Sequence, residues 1–120
     1  MMTLPFFSNS FQGCVPVGVR DRNRIPDARK TASTFYDDQE HPYYGRLNGT
    51  RGRGVWCAKK KNKLGEYLQV DMMKMYSVCA VATQGSRKND LWTTNYKLYF
   101  STDGATWETY QENRADKVSI

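Results

Sequence analysis

Apolar and polar positions alternate over residues 66–71, with Leu68 and Val70 on one face and Tyr67, Gln69 and Asp71 on the other. That is the period of a half-buried strand. Residues 77–83 form a β-branched, apolar run closed by Gln84-Gly85, as expected of a strand buried on both faces. Residues 94–101 alternate again, with Tyr96, Leu98 and Phe100 on one side. Asp103-Gly104 then supplies a turn, and residues 106–110 resume the alternation, which predicts a hairpin. No stretch of ~11 residues places apolar side chains at i, i+3, i+4 and i+7, so no amphipathic helix is predicted. The pattern is all-β, a sandwich or a barrel.

Upstream the pattern is less regular. Pro16 and two glycines punctuate residues 13–19, and Arg20-Asp21-Arg22-Asn23-Arg24 reads as a solvated turn. Residues 35–45 mix aromatics with acids and end in Pro42 and Gly45, the composition of a long loop. Residues 1–12 show no periodicity and read as a leader or linker outside the fold. Their opening, Met1-Met2-Thr3-Leu4-Pro5-Phe6-Phe7, has neither a basic n-region nor an apolar h-region, so it does not read as a signal peptide. The longest apolar run, Val78-Cys79-Ala80-Val81-Ala82, ends at Thr83, far short of the roughly 20 residues a membrane-crossing helix needs.

Composition narrows the picture further. A chain of 120 residues, 39% hydrophobic and 13% aromatic, suits one globular domain. The net charge of +6 favours acidic partners: anionic lipid, sulfated glycan or nucleic acid. Cys14, Cys57 and Cys79 are an odd number of thiols, and their spacing matches no CxxC metal or redox signature. His41 is the single histidine, which excludes a histidine-based triad and a multi-histidine metal site. Asp37 and Asp38 are adjacent, and neighbouring loop carboxylates do not hold the separation a glycosidase requires. No EF-hand-like run of oxygen ligands appears. The residues therefore offer no catalytic site, so the chain does not read as an enzyme; no cofactor is implied, and calcium is left open.

Eight short segments, in order, resemble the coagulation factor V/VIII type C, or discoidin, domain family. They are Gly13-Cys14, Thr31-Ala32-Ser33, Gly45-Arg46-Leu47-Asn48, Gly54-Val55-Trp56, Tyr67-Leu68-Gln69-Val70-Asp71, Ala82-Thr83-Gln84-Gly85, the run from Tyr96 to Gly104, and Trp107. The resemblance covers about residues 13–117. It implies a discoidin-like jelly-roll β-sandwich of the galactose-binding-domain type over residues 13–120, with three loops at one end that meet the ligand. It also implies an extracellular, non-catalytic adhesion module within a larger multidomain protein. Such a module touches membranes peripherally and engages anionic phospholipid or glycan surfaces, with collagen or a receptor protein as the alternative ligand. Family members continue through closing strands to a terminal Gly-Cys that pairs with the first cysteine. The resemblance therefore implies that a chain ending at Ile120 lacks those strands and leaves Cys14 without its family partner. Cys57 and Cys79 are then candidates for a bridge to each other, against the alternative of a buried thiol at Cys79.

By order along the chain, the three loops are residues 35–41, 59–65 and 86–91. In the first, Tyr36 is the candidate contact, whereas Phe35 either joins it or plugs the top of the core. Asp37, Asp38 and Glu40 weigh against anionic membranes there. In the second, Lys59, Lys60, Lys61 and Lys63 are either an anion-binding cluster or a solvated loop. The third offers Arg87, Lys88, Asn89 and Asp90, with Arg87 able to pair bidentately with an anion, Leu91 as an apolar tip and Trp92 as an anchor to the core. Asn48-Gly49-Thr50 is an N-glycosylation sequon, consistent with secretion. Arg51-Gly52-Arg53-Gly54 resembles a short RGG-like stretch, and a basic nucleic-acid binder is the distant alternative it raises; no nucleic acid is expected as partner.

Overall fold

The structure, a computed structural model, describes residues 6–10, 13–60, 63–86, 91–112, 115–116 and 118–119. Strands β1 (Phe6–Ser10), β2 (Gly13–Pro16), β3 (Lys30–Ala32), β4 (Leu68–Val70) and β5 (Val78–Val81) carry the first two thirds of the fold. The remainder consists of two-residue strands: β6 (Tyr96–Lys97), β7 (Tyr99–Phe100), β8 (Glu108–Thr109), β9 (Gln111–Glu112), β10 (Ala115–Asp116) and β11 (Val118–Ser119). The described helical residues form two single 3-10 turns, Asp27–Arg29 and Pro42–Tyr44. The all-β expectation holds.

Residues 6–10, which read from the sequence as leader, are instead the central strand of an antiparallel sheet ordered β2-β1-β5. A central strand is held by backbone hydrogen bonds along both edges. Such bonds leave no trace in side-chain periodicity, which is why the pattern missed it. The other pairs are β3 with β4, β7 with β8, β6 with β11 and β9 with β10, all antiparallel. The expected hairpin is present as β7–β8, with Tyr99 opposite Thr109 and Phe100 opposite Glu108. Its connection is longer than a two-residue turn. Ser101 Oγ accepts the amide N–H groups of Asp103 and Gly104, and Asp103 Oδ1 accepts those of Ala105 and Thr106. Side-chain hydrogen bonds of this kind replace the tight turn.

The cysteine pairing differs from expectation. Cys14 on β2 is bonded to Cys79 on β5, with Cα atoms 6.1 Å apart, and Cys57 is a buried thiol outside the bridge. In a flat sheet two strands flanking a third lie about 9.6 Å apart, so the sheet must curl. The register shows where: Phe7 opposes Ala80 and Ser8 opposes Val78, which makes Cys79 the extra residue of a bulge. Bulges bend a strand and sharpen its twist. β5, expected to be buried on both faces, is not: Val78 and Val81 are half-buried, and Cys79 and Ala80 are exposed.

Two small cores result. Val17, Val19 and Ile25 pack with Val70, Met72 and Tyr76, while Trp56 packs with Ala32, Ala58, Leu68, Val81 and Tyr96. Leu68 and Val70, the two apolar positions of the alternating run, thus feed different cores. Trp56 Nε1 donates to the Thr34 carbonyl at 2.8 Å, satisfying its one polar atom.

The same interior holds charge. Arg46, 5% exposed, donates to the Val19 carbonyl at 2.6 Å, the Ile25 carbonyl at 2.8 Å and Asp27 Oδ1 at 3.0 Å. Arg51 grips the other side of Asp27, with NH2 3.0 Å from Oδ2, and Arg22 approaches Oδ2 at 3.4 Å. Partial burial raises the pKa of Asp27, but hydrogen bonds from Arg51 and Arg46 outweigh it and hold the carboxyl below its usual range.

Reduction of Cys14–Cys79 should lower the unfolding free energy by about 4 kcal/mol, the loop-closure entropy of a 65-residue separation. Cys57→Ser should leave the response to reductant unchanged, as read by urea denaturation with and without dithiothreitol. Arg46→Met should cost about 3 kcal/mol by stranding its buried acceptors, whereas Arg51→Ala, with a partly exposed side chain, should cost about 1 kcal/mol or less.

Candidate functional site

The first two loops are built as one unit. Thr34 Oγ1 donates to Glu66 Oε2 at 2.7 Å and accepts the Lys59 amide at 3.0 Å. Ser33 Oγ also donates to Glu66 Oε2 and accepts the Tyr67 amide, while the Ser33 amide donates to the Tyr67 carbonyl. The Tyr36 amide donates to the Cys57 carbonyl at 2.9 Å. The hydroxyls of Ser33 and Thr34 hold the Glu66 carboxyl below its usual pKa range. Small hydroxyl residues at the end of β3 therefore tie the 35–41 loop to the 59–65 loop.

Tyr36 is exposed on this joined surface. Phe35 does not plug the core. Its ring is exposed and lies against His41, with centroids 4.1 Å apart. His41 in turn stacks on Tyr43 at 4.8 Å, and Arg51 lies over Tyr44 at 5.3 Å. A ladder of rings along the loop gives Phe35 partners that its sequence position does not reveal.

The loop acids are largely neutralised within the fold. Arg53 NH1 donates to Asp37 Oδ2 at 2.9 Å and to Glu40 Oε1 at 2.7 Å, with Glu40 5% exposed. Asp38 stays exposed, its carboxylate 3.7 Å from His41 Nε2. Of the three acids, Asp38 alone is left without an arginine partner among the described residues to offset its repulsion of an anionic surface. The same contacts revise the reading of Arg51 and Arg53. Their guanidinium groups are engaged by Asp27, Asp37 and Glu40 rather than arrayed along a basic arm. Gly54 sits at φ 70° in the turn that follows, where a Cβ would collide with the Gly49 carbonyl oxygen.

In the second loop Lys59, Lys60 and Lys63 are exposed, and Lys63 lies 3.9 Å from Glu66. Lys61 lies outside the described residues. Leu64, which the sequence reading passed over, is 93% exposed, and Gly65 beside it turns at φ 89°. The signal was one apolar residue stranded between Lys63 and Gly65 in a cationic loop.

In the third loop the Ser86 amide donates to the Leu91 carbonyl at 2.9 Å, closing the stem. Arg87, Lys88, Asn89 and Asp90 lie outside the described residues. Leu91 is half-buried. Trp92 does not anchor the loop, being 64% exposed. Gln84, at the base of this loop, pairs with Asn48: its Oε1 accepts the Asn48 amide at 3.0 Å and its Nε2 donates to Asn48 Oδ1 at 3.2 Å.

The F5/8 type C domain model matches residues 29–119. The chain belongs to the F5/8 type C, or discoidin, domain family, whose domain is a β-sandwich. Mouse coagulation factor V is 32% identical over 95% of this chain and 6% of its own length. Human epithelial discoidin domain-containing receptor 1 is 33% identical over 85% of the chain and 12% of its own. Pig lactadherin is 33% identical over 86% and 27%. The chain therefore spans a small part of the length of these relatives. No solved structure matches it.

An open cleft lined by Arg20, Asp21, Arg22, Asn23, Pro26 and Asp27 belongs to the charged turn rather than to the three discoidin loops. Among the described residues no group of three His, Cys, Asp or Glu side chains is placed to hold a metal.

Beneath the first loop, Lys30 is 2% exposed and its Nζ donates to the Gly45 carbonyl at 2.8 Å. Burial, helped by the nearby Arg46 charge and opposed by Asp27, pulls its pKa down from 10.5 to about 7. Between those values the unfolded chain holds a proton that the folded chain has released, so stability rises with pH across this window, by at most about 1.4 kcal/mol per pH unit. Urea denaturation from pH 7 to 9 should show this rise relative to Lys30→Met, which lacks the titrating amine. Parallel pH profiles in the two proteins would contradict it.

Proposed function

We propose that this discoidin chain is an extracellular binding module rather than an enzyme, and that it engages anionic phospholipid surfaces through the joined 35–41 and 59–65 loops. The observation that carries the reading is Leu64, 93% exposed in the same 59–65 loop as the exposed Lys59, Lys60 and Lys63. Burying a leucine is worth roughly 1.5–3 kcal/mol. Each lysine near an anionic surface adds about 1 kcal/mol. An exposed leucine in a loop that also carries cations gains both terms at a negatively charged lipid interface and neither in water. Tyr36 and Tyr67, also exposed, add rings that tolerate one wet and one apolar side. Arg53 supports the reading by neutralising Asp37 and Glu40. The extracellular setting is supported by the family and by the Cys14–Cys79 bridge, since disulfides persist in oxidising compartments.

The test is sedimentation with phosphatidylserine-containing vesicles against pure phosphatidylcholine. Leu64→Ala should weaken binding about tenfold or more, and Lys60→Ala or Lys63→Ala about fivefold each at low salt. Unchanged binding in all three variants overturns the reading. Binding to a sulfated glycan or to collagen without vesicle binding assigns the same loops to those ligands instead, weak salt dependence marking a protein ligand.

A further inference from the structure

We propose that Asn48 carries an N-linked glycan beside the stem of the third loop. The inference rests on the reading that the chain is displayed outside the cell. Asn48, which takes the sugar, and Thr50, whose hydroxyl the sequon requires, are both exposed, and Asn48 takes the left-handed conformation at φ 55° that asparagine accepts more readily than most residues. The orientation of its amide follows from the hydrogen-bond chain. The Asn48 backbone N–H can only donate, so the Gln84 atom that it meets at 3.0 Å is the carbonyl oxygen Oε1. The other end of that amide, Nε2, can likewise only donate, so the Asn48 atom 3.2 Å away is Oδ1. Nδ2, the atom that bears a glycan, is thereby turned away from the pair.

A glycosylated asparagine keeps its Oδ1 and loses only one N–H. The Gln84 contact therefore survives modification and fixes where the sugar starts. Gln84 leads directly through Gly85 into Ser86, whose amide closes the third loop on Leu91. A glycan at Asn48 is thus based next to that loop and not on the Leu64 loop. In the transfer, Nδ2 gives up a proton to base and forms the N–C1 bond. The C1–O bond of a lipid-diphosphate-linked oligosaccharide breaks, and the diphosphate leaves with the electron pair.

The experiment expresses the full chain behind a heterologous signal sequence in a eukaryotic cell and treats both medium and lysate with peptide-N-glycosidase F. The expected result is a slower-migrating species that collapses on treatment, is absent in Asn48→Gln and Thr50→Ala, and persists in Thr50→Ser. Reading the lysate as well as the medium covers variants that fold too poorly to be exported. Absence of any glycosidase-sensitive species in both fractions overturns the proposal, as does sensitivity that survives Asn48→Gln. Vesicle binding by the Asn48→Gln chain tests the Leu64 surface separately, so either reading can fail without the other.

Discussion

A buried guanidinium organises this domain. Arg46 reaches into the protein and binds the carbonyls of Val19 and Ile25 together with Asp27, joining the 19–27 turn to the long segment that follows β3. Regular ladders are short here, several only two residues long, so backbone pairing alone leaves much of the chain unheld. Carbonyls at irregular turns need donors when water is excluded, and arginine brings five in a rigid fork. Asp27 completes the clamp by balancing a charge that would otherwise be costly to bury. Lys30 repeats the device on a smaller scale, with one amine and one carbonyl of the same segment.

From this clamp the loop surface follows by successive contacts. Arg51 shares Asp27 with Arg46 and rests on Tyr44, and the rings run on through Tyr43 and His41 to Phe35. Arg53 draws in Asp37 and Glu40. Trp56 fixes Thr34, whose hydroxyl ties β3 to Glu66 and the lysine loop. Each basic residue of the 46–53 stretch thereby supports a loop, and the cations left for solvent in the adjoining loop are the lysines around Leu64. Net charge alone suggested nucleic acid as readily as lipid, and within the 46–53 stretch the guanidinium groups are paired inside the fold.

The alternating runs at 66–71 and 94–101 were legible because one side of each meets the interior: Leu68 and Val70 pack into the two cores, and Tyr96, Leu98 and Phe100 are half-buried. Family motifs located the loops by order. What stayed hidden was non-local. β1 is held on both edges by backbone groups, which carry no residue code. Cys14 finds Cys79 because a bulge curls the sheet, a distance no spacing reveals. Nothing in the sequence marks Arg46 and Lys30 as buried, since the carbonyls that receive them lie 15 to 27 residues away. Trp92, expected to anchor the third loop, lies mostly in solvent.

We propose that Leu64, and not the Val19–Ile25 core that the clamp encloses, meets an anionic lipid surface. Methyl NMR of the chain on phosphatidylserine nanodiscs doped with a paramagnetic lipid tests this directly. Selective broadening of the Leu64 methyls, with those of Val19 and Ile25 left sharp, is the result the account predicts. A chain that binds the discs while its Leu64 methyls stay sharp would contradict it.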